Sequence, residues 1–166
     1  MHNTVAVYVA RAVADFGPFT SVCEIGSRDV NGGIRHLFGP VRYVGVDPVA
    51  GPDVDVVADF ADWDTDERFH CVVTTSALEH TSRARDLIVH AADILERPGF
   101  LIVTCAGPGW PVHSMYDGGP VLRPGEHYEN VSAETLEQWM VEAEFDGCRT
   151  QWDPASTDTC GVAWLE

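Results

Sequence analysis

The chain is expected to fold as an open, mostly parallel, twisted α/β sheet with helices on both faces and an antiparallel hairpin at one edge. Three observations carry this. Short runs of strand type alternate with stretches of helical period. Most of those runs are continuously apolar, as strands covered on both faces are. The last two have no helix between them, so they pair directly. At 166 residues, 45% of them hydrophobic, the chain suits one compact domain over 1–166 with a real core.

Each element has its own signal. From Val5 to Phe16, apolar residues fall at 5, 9, 12, 13 and 16, one face of a helix with Thr4 as its cap and Gly17-Pro18 as its stop. Val22 to Ile25 reads as a buried strand leading into a turn at Gly26. Ile34, Leu37 and Phe38 give a short helix a buried face, closed by Gly39-Pro40. Val41 to Val46 and Val54 to Ala58 are strands ending at Asp47 and Asp59, and His70 to Thr75 is a fourth. Positions 84, 87, 88, 91, 94 and 95 form a helical stripe that Pro98-Gly99 terminates, and Phe100 to Thr104 is a fifth strand. Residues 106–130, rich in Gly, Pro, His and aromatics, form a long loop of the length that overhangs sites as a lid. Ser132 caps a helix with Leu136, Trp139, Met140 and Ala143 inward. Cys148 to Trp152 and Gly161 to Leu165 make the final hairpin.

Composition narrows the chemistry. Formal net charge is −16, and the ten basic residues are all arginine, scattered along the chain. Such a field repels phosphate backbones, so nucleic acid is a poor partner. Without lysine there is neither Schiff-base chemistry nor a phosphate-binding P-loop. The five cysteines form no C-x-x-C pair, so neither a zinc site nor a disulfide framework is expected, and no metal ligands are assigned. No long apolar segment predicts a signal peptide or membrane span, and a reduced, cytoplasmic setting is the expectation. The acidic run from Asp53 to Glu67 reads mostly as a solvated face.

In an open parallel sheet, ligands bind beyond the carboxyl ends of the strands, where strand order reverses. Here those ends carry Glu24 and Gly26, Asp47, Asp59, and Thr75-Ser76. Asp47 stands 21 residues after Gly26, the position from which an acid holds ribose hydroxyls, although an acid before Pro48 also suits a turn. That spacing alone fits NAD as well. The turn itself, VCEIGSRDVNGG over 22–33, separates the two. A pyrophosphate would have to approach a backbone flanked by Glu24 and Asp29, which repel it. A ligand with a cationic end is welcomed by the same acids, and S-adenosyl-L-methionine has a sulfonium, an ammonium and an adenosine.

Five stretches, VCEIGSRDVNGG, YVGVDPVAGPDVDVVADF, FHCVVTTSALEHT, ERPGFLIVTCAG and EHYENVSAETLEQWMVEAEF, run in one order over nearly the whole chain. In these the sequence resembles the class I S-adenosylmethionine-dependent methyltransferases, of the branch with a Leu-Glu-His signature after the fourth strand. That resemblance implies a Rossmann-like fold and methyl transfer to an acceptor, here expected to be a small molecule. The family's first motif usually reads E-x-G-x-G-x-G; only Gly26 stands in register, with Ser27-Arg28-Asp29 in place of the rest.

The roles that follow from the resemblance are these. Gly26, Ser27 and Asp29 shape the cofactor turn and Glu24 sits near the methionine amine. Asp47 holds the ribose, Asp59 accepts from the adenine amino group beside Phe60, and Ser76 offers its carbonyl to the ammonium. Asn31 is read as a helix cap before a ligand. His80 and His127 are the candidate bases, with Glu79 as a further acid at the same signature. The loop residues His113, Tyr116 and Tyr128 are expected to meet the acceptor, and Trp110 to pack under the loop. A homodimer is left open. A protein that holds the cofactor without transferring its methyl group is the second reading, and an NAD-dependent oxidoreductase the third.

Overall fold

The computed structural model describes residues 3–166. Three helices, α1 (Asn3–Phe16), α2 (Ala84–Ile94) and α3 (Ala133–Glu142), accompany seven strands. The strands are β1 (Ser21–Ile25), β2 (Arg42–Asp47), β3 (Val56–Val57), β4 (Phe69–Thr75), β5 (Leu95–Ala106), β6 (Gly147–Trp152) and β7 (Asp158–Leu165). They form one sheet in the order β3-β2-β1-β4-β5-β7-β6. Pairings are parallel from β3 through β5, while β7 runs antiparallel to both β5 and β6. The expected hairpin is therefore present at one edge, with β7 inside and β6 outermost.

Side chains on a strand alternate between faces, and the core divides accordingly. Val22, Cys71, Val73, Ile102 and Val162 pack with Val9 and Ala12 of α1 on one face. Cys23, Ile25, Val72, Leu101 and Val103 pack on the other, against Ile88 and Ala91 of α2 and Leu136 and Met140 of α3. Both faces are covered, so the central strands are apolar in both registers. Glu24 breaks that rule: it is a buried acid on the α1 face of β1. The five cysteines are all free.

Local structure departs from the sequence reading at four places. Helix α1 already includes Asn3, so Thr4 is not its cap; the Thr4 hydroxyl donates instead to Asp158 Oδ2 at 2.8 Å. The 54–58 strand shrinks to Val56–Val57, because the Asp55 carboxylate takes the Gly45 amide at 2.8 Å and an Arg35 ion pair. Residues 34–38 form a 3₁₀ turn over Arg35–Phe38 with no Asn31 cap. Pro98-Gly99 does not end α2. The chain turns extended at Leu95, whose buried side chain enters the core, and β5 starts there with an irregular register opposite Phe69.

Helix α3 begins as expected: Ser132 Oγ accepts the Thr135 amide at 3.1 Å. Its Leu136 is fully buried. In urea unfolding, Ser132→Ala is expected to cost about 1 kcal/mol for the lost cap. Leu136→Ala should cost about 2–5 kcal/mol because its surroundings cannot collapse onto the vacated volume.

Candidate functional site

A cavity of about 830 Å³ opens at the carboxyl ends of β1, β2 and β4, beneath the 107–132 segment. It lies where strand order reverses, since β1 has β2 on one side and β4 on the other. Seven carboxylates line it, from Glu24, Asp29, Asp47, Asp59, Glu79, Asp117 and Asp158, against one guanidinium, that of Arg28.

The ladder between β1 and β2 continues into the turn, because the Gly26 and Ser27 amides both donate to the Val46 carbonyl, at 2.9 and 3.3 Å. Gly26 has φ +72°, and a Cβ added there would stand 2.5 Å from the Ala77 Cβ. Glycine is thus required both by the left-handed backbone and by the close approach of the neighbouring loop. Ser27 Oγ is buried without a partner. Asp29 Oδ1 accepts the Gly32 amide at 2.5 Å and closes the loop on itself. Ser76, after β4, also has positive φ at 52°, and its amide donates to Thr104 at 2.8 Å.

Glu24 is 4% exposed and its Oε2 accepts the Tyr43 hydroxyl at 2.8 Å. Burial pushes its carboxyl up to about 7, outweighing the Tyr43 bond and Arg35, which pull it down. Asp47 is buried; Oδ1 accepts from the Val49 amide at 2.8 Å and Oδ2 from the Arg28 amide at 3.3 Å. Asp59 caps the 60–62 turn through Ala61 and forms a 3.0 Å ion pair with Arg83. Phe60 is buried beside it, edge-on to His90 at 5.0 Å.

The far end is aromatic. His80 meets His113 at 4.9 Å and Tyr128 at 5.4 Å between ring centroids, and His113 meets Tyr128 at 4.9 Å. Desolvation, with His113 next, lowers the His80 pKa to about 4, so its ring is neutral at pH 7. The ring is half-buried, with His113 and Tyr128 against it. Glu79 is 1% exposed, and desolvation raises its pKa to about 7 against backbone bonds from Glu79 and Ala106.

Among the loop residues singled out from sequence, His113 lines the cavity, whereas Tyr116, His127 and Tyr128 do not. Tyr116 lies between Arg123 and Arg28, 4.4 and 5.5 Å from its ring centre. His127 Nε2 stands 3.8 Å from Glu129, and Tyr128 donates its hydroxyl to Pro111 at 3.1 Å. Trp110, expected to pack beneath the loop, reaches the cavity wall. Three charged lining residues went unrecognised: Asp158, on a strand distant in sequence, and Asp117 and Arg28, on loops. Arg28 donates from Nη2 to the Met115 carbonyl at 2.9 Å, tying the Gly26 turn to the overhanging segment. Its place in a motif position usually occupied by glycine was the available signal.

A mostly parallel seven-stranded sheet with an antiparallel edge pair and a cavity at its switch point is the architecture of the class I methyltransferases. A model described as a methyltransferase domain matches residues 1–149, and the chain belongs to that family. No curated protein matches it in sequence. Among solved structures it is similar to the 1,6-didemethyltoxoflavin-N1-methyltransferase of Burkholderia thailandensis, which contains 1,6-didemethyltoxoflavin and S-adenosylhomocysteine. Identity there is 16% and the TM-score 0.70, over 98% of this chain and 79% of that one. The CcbJ methyltransferase of Streptomyces caelestis gives 16% and 0.70, over 100% and 97%. The S-adenosylmethionine-dependent methyltransferase SibL gives 16% and 0.72, over 98% of this chain but only 55% of that one. Likeness at this identity concerns the fold. Among the described residues no helix is long and apolar enough to cross a membrane.

The shift at Glu24 has a sign that can be checked. Folded, its carboxyl keeps a proton to about pH 7; unfolded, it loses it near 4.5. The folded state binds more protons between those values, so this group's contribution falls as pH rises through that window and is flat outside it. Glu24→Gln keeps an acceptor for Tyr43 and removes the charge. The ligand-free variant should melt above wild type at pH 8, by about 2–4 °C per kcal/mol recovered, and close to it at pH 4.5 in thermal melts.

Proposed function

We propose that the chain transfers a methyl group from S-adenosyl-L-methionine to a small-molecule acceptor. One observation carries this reading: seven carboxylates and a single arginine surround a cavity at the switch point of the sheet. A ligand that brings positive charge offsets the cost of keeping those acids out of water, and a pyrophosphate adds to it. Family membership supports the same reading, as do the bound S-adenosylhomocysteine of the toxoflavin enzyme and the named donor of SibL.

In this reading the donor's ammonium lies near Glu24 and the Ser76 carbonyl, along the backbone that Gly26, Ser27 and Asp29 shape. Asp47 takes the ribose hydroxyls with its remaining acceptor capacity, and Asp59 accepts from the adenine amino group beside Phe60. The sulfonium is already a good leaving group, so the protein's task is alignment and exclusion of water. The acceptor atom attacks the methyl carbon in line; the carbon–sulfur bond breaks and S-adenosylhomocysteine leaves. An acceptor hydroxyl or ammonium also loses a proton, and the neutral His80 ring at the far end of the cavity is the group assigned to take it. His127 stands outside the cavity and is assigned no step. The 3–166 unit acts as one domain, its acceptor pocket walled by Trp110 and His113 from the overhanging segment.

Calorimetric titration separates this reading from the oxidoreductase alternative. S-adenosylmethionine and S-adenosylhomocysteine should each bind at micromolar levels, about −8 kcal/mol at 1 μM, with no heat from NAD. Asp47→Ala should weaken both by about 1.5–3 kcal/mol, the value of a hydrogen bond to a charged group. NAD binding without the methionine compounds would falsify the proposal. A domain that only stores the cofactor would bind both yet release no S-adenosylhomocysteine across a panel of oxygen, nitrogen and sulfur acceptors. A transferase should release it with at least one, and His80→Ala should slow that turnover by about 10²-fold or more where the acceptor must be deprotonated.

A further inference from the structure

Three side chains able to ligate a metal converge at the far end of the cavity. Glu79 and His80 come from the 3₁₀ turn after β4, and His113 from the segment above it. One ligand atom of each lies within 4.8 Å of the other two.

Two of the three carry buried polar atoms that nothing satisfies, Glu79 Oε2 and His80 Nδ1. An unsatisfied buried atom of this kind costs about 1–3 kcal/mol, more when charged, so two on adjacent residues ask for a partner. The third residue is held as metal-binding imidazoles are held. His113 Nδ1 lies 3.1 Å from the Pro111 carbonyl, which can only accept. That nitrogen therefore carries the hydrogen, and Nε2 keeps a bare lone pair. Tyr128 packs edge-on against both rings. Asp158 adds negative charge from the cavity wall.

We propose that Glu79, His80 and His113 form a binding site for a divalent transition-metal ion at the acceptor end of the cavity. Two imidazoles and one carboxylate suit ions of the Zn²⁺, Mn²⁺ and Fe²⁺ class and leave at least one coordination position for water or an acceptor oxygen. Donor atoms around a tetrahedral ion at the usual bond lengths stand about 3.3 Å apart. The remaining gap closes by small rotations of the two rings. With an ion in place, His80 is a ligand, and the ion eases the acceptor's proton away instead. The absence of paired cysteines says nothing against such a site, because none of its ligands is a thiolate. The proposal does not depend on methyl transfer or on donor binding, and its test reads metal alone.

Titrating the full chain with Co²⁺, followed by visible absorption, and with Zn²⁺, in competition with a chromogenic chelator, tests it. Wild type should take up one equivalent of either ion and develop a cobalt d–d band. His113→Ala and Glu79→Gln should each weaken uptake about tenfold or more, while His36→Ala, on an exposed turn away from the cavity, should match wild type. His113 sits on a loop, so its variant is not expected to unfold, and circular dichroism confirms this for both. No bound metal at about 1 mM free Zn²⁺, the weak limit of specific binding, overturns the site. So does undiminished uptake by His113→Ala.

Discussion

The parallel register of β1 is the constraint on which the site depends. Ile25 stands opposite Val46 on one side and Thr74 on the other, so the three strands end level with one another. The amides of Gly26 and Ser27 then extend the ladder by binding Val46, which fixes where the turn leaves the sheet. Chain segments far apart in sequence thereby deliver acids to one crevice. A slip of one residue in β1 would exchange the faces of Cys23 and Glu24, exposing an apolar core to a carboxylate and removing a buried acid from the crevice.

The helices hold that register rather than contribute chemistry. Covering both faces makes the central strands unable to slide without exposing buried side chains, and the packing around Ile102 and Leu101 lies on opposite faces of one strand. A rigid sheet can then carry a cost that a flexible one would relax away. Glu24 and Glu79 are both desolvated, and the distant pull of Arg35 on Glu24 does not offset this; their raised proton affinity is the measure of that cost. The cavity is electrostatically unfinished until something positive enters it.

Much of this was legible in the sequence because buried parallel strands and amphipathic helices leave strong, short-range signals. The order of elements, the edge hairpin, the Ser132 cap and the acids at the strand ends all follow from period and turn chemistry. Illegible features were those decided by distant contacts. Val54–Ala58 has strand composition, yet Asp55 reaches Gly45 and Arg35 and only two residues pair. Pro98-Gly99 looks like a stop signal, yet Leu95 enters the core first and the strand begins before the proline. Glu79 reads as an acid at a helix start, and its burial beside Ala106 and Asp158 comes from chain segments distant in sequence. The 107–132 segment turns Tyr116 and Tyr128 away from the cavity and Trp110 towards it, a choice that no local pattern encodes.

Arg28 occupies a place where its relatives' pattern has glycine, and its guanidinium grips the Met115 carbonyl. A small residue would have left the roof of the crevice joined to its floor at the far end, where the Glu129 amide binds the Glu79 carbonyl and His113 meets His80. Here one side chain rivets them together, so a guest that nudges the floor also tugs on the roof. A guest that enters or leaves on that side must then break this tie or pass around it.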